Sequence, residues 1–141
     1  MRYLGLDLGI TSLGVAISDK TNTLASPFKL IKFARENYDE ALEKLLEIIK
    51  TEGISTVILG IPKNMDNSLG FAAQRSLNFK RMLEEHNIKV ILEDERLTTV
   101  EALNIMKNNG LKKINKQEKT DILAAVLILE NFLKRIENEK K

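Results

Sequence analysis

Tyr3-Leu4-Gly5-Leu6-Asp7-Leu8-Gly9-Ile10-Thr11-Ser12-Leu13-Gly14-Val15-Ala16-Ile17-Ser18 reads as a β-hairpin. Side chains alternate faces along a strand. Leu4, Leu6 and Leu8 therefore share one face of the first strand, and Tyr3, Gly5, Asp7 and Gly9 the other. The second strand repeats the pattern, with Leu13, Val15 and Ile17 opposed to Gly14, Ala16 and Ser18. One face is bulky and aliphatic and suits a core. The other is almost bare and carries Asp7. A mid-strand carboxylate among glycines is costly, because glycine loses more backbone entropy on folding and a charge resists burial. That cost points to a surface left clear for something large, with an acid at its centre. Asp7 could instead pair with a buried cation or cap a turn. A merely paired aspartate, however, does not need small neighbours.

Outward from the hairpin, Asp19-Lys20-Thr21-Asn22 reads as a turn and Leu24 to Ile31 as a third strand. Pro27 lacks a donor, which favours an edge position or an irregular strand. Tyr38 to Glu52 is an amphipathic helix with Leu42, Leu45, Leu46 and Ile49 on its apolar stripe and Gly53 as its stop. Thr56-Val57-Ile58-Leu59-Gly60 is a short apolar run, the pattern of a buried parallel strand. Ser68 to Asn87 follows as a helix, with Phe71 and Phe79 facing the core, and Lys89 to Leu92 as a strand. Thr98-Thr99-Val100-Glu101 matches a capping box, opening a helix to about Asn109 that Gly110 stops. The last helix runs from near Gln117 to about Asn138. Its segment Ile122 to Leu129 has no polar side chain, so protein or an oligomer partner must wrap it. The order is β-β-β-α-β-α-β-α-α. It implies an α/β fold whose mixed five-stranded sheet is flanked by helices. Residues 1–138 are expected to form a single domain and 139–141 a frayed tail.

The 141 residues are enough for one domain with a real core. No apolar run is long enough to span a membrane, and the immediate entry into a strand leaves no room for a leader. The absence of cysteine excludes disulfides and thiolate metal sites, which suits a cytoplasmic protein. Net charge is +2, so local clustering of cations matters more than the total.

The single histidine, His86, falls at a helix end among Glu84, Glu85 and Asn87, where a solvated role is expected. No Ser-His-Asp arrangement, phosphate-binding glycine loop or dinucleotide fingerprint follows a strand. Carboxylates remain. Asp7, Glu95 and Asp121 sit where strands end or helices begin. Acids gathered together repel, and hard divalent cations with oxygen ligands supply the missing counter-charge. Two such ions can activate water and stabilise the leaving oxygen of a phosphodiester. Each acid also has an ordinary alternative: Glu95 can pair with Arg96, and Asp121 can favour a helix N-terminus. Lys107, Lys112, Lys113, Lys116 and Lys119 surround the loop before Asp121, an arrangement suited to a phosphate backbone or simply to solvent. Lys63, Arg96, Lys112, Lys113 and Lys116 are the candidate nucleic-acid contacts.

Gly5-Leu6-Asp7-Leu8-Gly9 with Gly14-Val15-Ala16, Gly60-Ile61-Pro62 with Asn64-Met65-Asp66, Asp94-Glu95-Arg96-Leu97-Thr98-Thr99, and Lys119-Thr120-Asp121 before an alanine-containing helix occur in this order. Together they resemble the YqgF/RuvX family over nearly the whole chain. The resemblance implies an RNase H-like fold of the Holliday-junction-resolvase type. It implies a cytoplasmic hydrolase, a nuclease linked to maturation of the 5′ end of pre-16S ribosomal RNA and so to ribosome biogenesis. Cleavage of a four-way DNA junction is the alternative. It also implies a catalytic and metal-binding trio of Asp7, Glu95 and Asp121 using Mg²⁺ or Mn²⁺. The run Thr56 to Gly60 carries no acid, unlike the fourth strand of many RNase H-like nucleases.

Two further readings come from other classes. Asp7 to Gly14 also resembles the phosphate-binding hairpin of the actin, Hsp70 and sugar-kinase superfamily, which uses two related domains where this length supplies one. A nucleic-acid-binding or assembly factor without catalysis is the other. A homodimer through the apolar last helix is compatible with the sequence.

Overall fold

The computed structural model describes residues 2–62, 70–94 and 116–139, with side chains in the last helix described from Ile122 onward. Five strands form one sheet: β1 (Tyr3–Leu8), β2 (Ser12–Ser18), β3 (Ala25–Lys32), β4 (Thr56–Ile61) and β5 (Lys89–Asp94). Among the described residues three helices accompany them: α1 (Tyr38–Glu52), α2 (Phe71–Glu84) and α3 (Lys116–Glu139). The strand order is β3-β2-β1-β4-β5. β1, β2 and β3 pair antiparallel, while β1–β4 and β4–β5 pair parallel. The mixed sheet read from the sequence is therefore present. The helix expected over Thr98–Asn109 lies outside the described residues.

The hairpin forms because two alternating strands meet at a short turn, closed by the Gly9 N–H donating to the Ser12 carbonyl at 2.8 Å. Leu4, Leu6, Leu8, Leu13, Val15 and Ile17 all point into one core, with Leu42, Leu45 and Ile49 of α1 and Phe79 and Leu83 of α2. Asn37 caps α1 by accepting from the Glu40 N–H, and Gly53 ends it at φ 66°, a left-handed conformation that favours glycine. Strand β3 is an edge, as Pro27 suggests, and its pairing slips at a bulge where Val15 faces Lys29 and Ala16 faces Pro27.

The bare face of the hairpin is not left open along its length. Helix α3 lies on it, and Ala16, Ile58, Ala125, Val126, Ile128, Leu129, Phe132 and Leu133 form a second core there. A Cβ built on Gly5 would stand 2.6 Å from the Ala125 carbonyl oxygen and 2.6 Å from Leu129 Cβ. Gly5 and its cross-strand partner Ala16 are small because a helix backbone passes over them. The apolar run of α3 is likewise buried within this one chain, Leu123, Ala125, Ile128 and Leu129 almost completely. No partner copy is needed to explain it.

Phe79 is buried, but Phe71 is 94 % exposed, contrary to the core position expected for it. The buried stripe of α2 is Ala73, Ser76, Phe79 and Leu83. Phe71 lies about 80° or more around the helix from each of them. His86 is exposed just beyond α2, as expected.

The turn between β2 and β3 is held by Asp19, which accepts from the Thr23 and Leu24 N–H groups and the Thr21 hydroxyl. These bonds, the Thr23 amide foremost, hold its carboxyl below the usual carboxylate range. A depressed folded value means the stabilisation is present above the unfolded value and is lost as pH falls through the folded one. Asp19→Ala should therefore lower the melting temperature at neutral pH. In thermal melts at a series of pH values, the gap from wild type should close as the medium becomes acidic.

Candidate functional site

Asp7 stands one residue from the carboxyl end of β1, the central strand, and is half-buried. Its partner on β2 is Gly14. On the other side, the Leu6–Leu59 pair leads to Asp7 beside Gly60, and Gly60 pairs with Glu93 of β5. A row Gly14, Asp7, Gly60, Glu93 thus crosses the sheet on one face. Adjacent strands are about 4.8 Å apart, so the Asp7 and Glu93 backbones stand roughly 10 Å from each other with a glycine between them. Neither neighbour of Asp7 in the row has a side chain to fill the space around the carboxylate.

Helix α3 shares this face. Phe132 packs edge-on against Tyr3 at 5.2 Å between ring centroids, and Ala125 and Leu129 cover Gly5. The helix therefore runs against the direction of β1. Residue 121 lies one turn before Ala125, on the same stripe and towards the Asp7 end. The side chain of Asp121 lies outside the described residues. So do Lys63, Glu95, Arg96, Lys112 and Lys113, and the side chain of Lys116, the first residue of α3.

The residue missed in sequence reading is Glu93. Strand β5 continues through Glu93 and Asp94, two residues beyond the expected end at Leu92. Alternation from Ile91, which packs under α3, carries Glu93 onto the Asp7 face. That period-2 signal was available in the sequence. Glu93 is 9 % exposed and forms an ion pair with Arg135 of α3, Oε2 to Nη2 at 2.7 Å. Burial pushes the Glu93 carboxyl above its ordinary range, Arg135 pulls it back, and neighbouring Asp94 adds to the rise. Arg135 also lies over the Phe132 ring, 5.6 Å from its centroid.

Among the described residues no group of three or more His, Cys, Asp or Glu is placed to hold a metal ion. Asp7 is the one member of the expected trio whose side chain is described. Its donor chemistry fits a hard divalent cation: a half-buried carboxylate, an oxygen donor, in a chain without cysteine. Among the described residues, no helix is long and apolar enough to cross a membrane.

A mixed sheet in this order, with a central aspartate and a last helix over it, defines an RNase H-like fold of the RuvC type. The Thermus thermophilus RuvC structure solved "in complex with Holliday junction substrate" superposes with a TM-score of 0.61 at 19% identity, covering 97% of this chain and 96% of that one. The fowlpox virus Holliday junction resolvase gives a TM-score of 0.59 at 19% identity, covering 99% of both chains. Within this fold the chain belongs to the RuvX family, whose description is Holliday junction resolvase and whose model matches residues 1–135. A relative from Onion yellows phytoplasma (strain OY-M) is 45% identical over 132 residues, 92% of this chain and 87% of that protein. One from Thermoanaerobacter pseudethanolicus is 40% identical over 141 residues, covering 99% of this chain and 100% of that protein. Both are named "Putative pre-16S rRNA nuclease".

Proposed function

We propose that this protein is a divalent-metal-dependent endonuclease of structured nucleic acid, acting in maturation of the 5′ end of pre-16S ribosomal RNA in the cytoplasm. The observation that carries the reading is Asp7: a half-buried carboxylate in a row of glycines at the carboxyl end of the central strand, on the face of α3. The names of the relatives support the choice of substrate. Asp7, Glu95 and Asp121 would hold Mg²⁺ or Mn²⁺. When bound, such ions activate water and neutralise charge developing on the phosphate. Asp7 contributes a charged oxygen pair from a rigid strand, which fixes its position better than a loop can. Residue 121 lies on α3, one turn before the Ala125 that covers Gly5. Lys63, Arg96, Lys112, Lys113 and Lys116 would bind the phosphate backbone, an interaction that weakens as salt is raised.

Four-way DNA is the second reading, favoured by the family description. The deciding assay offers purified protein a pre-16S 5′ precursor and a four-way DNA junction, each with Mg²⁺ or Mn²⁺ and with chelator. Metal-dependent cutting of the precursor alone supports the rRNA reading, and cutting of the junction alone moves the assignment to DNA. Binding of both without cutting by wild-type protein rejects the nuclease in favour of a non-catalytic binding factor.

A further inference from the structure

Strand β3 is an outer edge of the sheet, and among the described residues no strand pairs with its far side. Two bonds fix which way its peptide groups turn. The Phe33 N–H, just past the strand, donates towards β2, to the Thr11 carbonyl at 3.0 Å. The Lys32 carbonyl turns away from β2 and accepts from Lys44 Nζ of α1 at 2.9 Å. Successive residues of a strand turn their peptide groups to opposite sides, so Leu30, two before Lys32, also directs its N–H and carbonyl outward. An outward row of donors and acceptors is a template for one more strand. Beside it a groove of about 740 Å³ runs between β3 and α1. Phe28, Ile31 and Ile48 give the groove an apolar lining, and Phe28, the extra residue at the bulge, is 39 % exposed.

Charge narrows the choice of occupant. The strand wall carries Lys29 and Lys32, both exposed. On the helix wall Lys44 pairs with Glu40 at 3.0 Å and Glu52 with Arg2 at 2.8 Å, and Glu47 stands beside them. The cationic side of the groove is therefore the strand itself. A second copy of this chain fits badly: β3 paired antiparallel with itself about Leu30 and Ile31 sets Lys29 against Lys32 twice, and Pro27 offers no donor. A phosphodiester backbone also fits badly, because it has no donor for the Leu30 carbonyl and meets Glu47 and Glu52 on the other wall. An extended peptide with acidic side chains supplies donor, acceptor and counter-charge together.

We propose that the groove between β3 and α1 docks an extended acidic segment of a partner protein. The segment adds to the sheet as a strand antiparallel to β3, with carboxylates opposite Lys29 and Lys32 and an apolar side chain opposite Ile31, against Ile48. The groove lies on the α1 side of the sheet and Asp7 on the α3 side, so the two surfaces are distinct.

The test follows amide NMR spectra of the full, isotope-labelled chain during titration with a capped peptide, Thr-Glu-Val-Thr-Glu-Thr. In the antiparallel register its glutamates fall opposite Lys32 and Lys29 and its valine opposite Ile31. Shifts should be confined to Phe28–Lys32 and to the Lys44–Glu52 stretch of α1, and hydrogen exchange at the Leu30 amide should slow. The same peptide with lysine for glutamate should not bind. Lys29→Glu together with Lys32→Glu, both at exposed positions, should weaken binding about tenfold or more and admit the lysine peptide instead. If thermal melts show that this double variant does not fold, Lys29→Gln takes its place and should also bind more weakly; unchanged affinity overturns the proposal. Absence of shifts along β3, equal binding of the two peptides by wild type, or unaltered exchange at Leu30 overturns it as well. Shifts along β3 with a single-stranded RNA oligonucleotide but not with the acidic peptide assign the groove to nucleic acid. Concentration-dependent shifts there in the protein alone assign it to a second copy. Either result replaces the peptide.

Discussion

Asp7→Asn should yield a folded protein whose metal-dependent cleavage is reduced by at least about a hundredfold, the scale of losing a preorganised charge from a reacting site. The substitution preserves shape and removes one negative charge. Asp7 is half-buried in the row Gly14, Asp7, Gly60, and an amide has the size of the carboxylate it replaces. The fold should hold its melting temperature or gain slightly, because the replacement keeps the side chain's size and takes a charge out of a half-buried position. That opposition of stability and activity separates a chemical role from a structural one. Pure Asp7→Asn protein that cuts at the wild-type rate removes Asp7 from the mechanism, and one that no longer folds shows that Asp7 holds the sheet.

Gly5→Ala, two residues earlier on the same face, should do the reverse. The added methyl would meet the Ala125 carbonyl oxygen and Leu129 Cβ at 2.6 Å. One obstacle is backbone and the other is the root of a side chain, so neither can swing aside. Helix α3 has to lift or β1 has to bend. Overpacking costs about 1–3 kcal/mol and occasionally more, and here the upper end is expected. For a chain of this length that is a fall of roughly 10 °C in melting temperature. Gly53→Ala is the comparison: nothing lies within 4 Å of a Cβ there, and only the left-handed backbone at φ 66° resists it. That strain costs on the order of 1 kcal/mol. Melts in which Gly5→Ala is no worse than Gly53→Ala would show that α3 can shift without penalty.

The hairpin, α1 and β4 are legible in the sequence because each buries one face or one stripe, and periods of 2 and 3.6 survive in the order of residues. Asp7 is legible for the same reason, as an acid out of place in an alternating strand. What covers a face is not legible. Gly5 and Ala16 looked like room for a substrate, and they turn out to be the seat of a helix more than 100 residues later in the chain. Alternation assigns residues to a side of the sheet and says nothing of what arrives there. The Glu-Asp run after Leu92 read as loop because its cation, Arg135, is distant in sequence. Phe71 was misplaced by giving aromatic character more weight than its angle on the helix.

The seating of α3 on β1 has a consequence for how the protein comes into being. A ribosome delivers β1 first and α3 after every other described element. Until α3 emerges, the Gly5 and Ala16 face of the sheet lacks the helix that covers it. Contacts between the first strand and the last helix carry a high loop-closure cost and form late. With the proposed trio of Asp7, Glu95 and Asp121, a partly made chain carries no complete acid site. The nascent protein would pass through its synthesis unable to cut the nucleic acid of the machine that makes it.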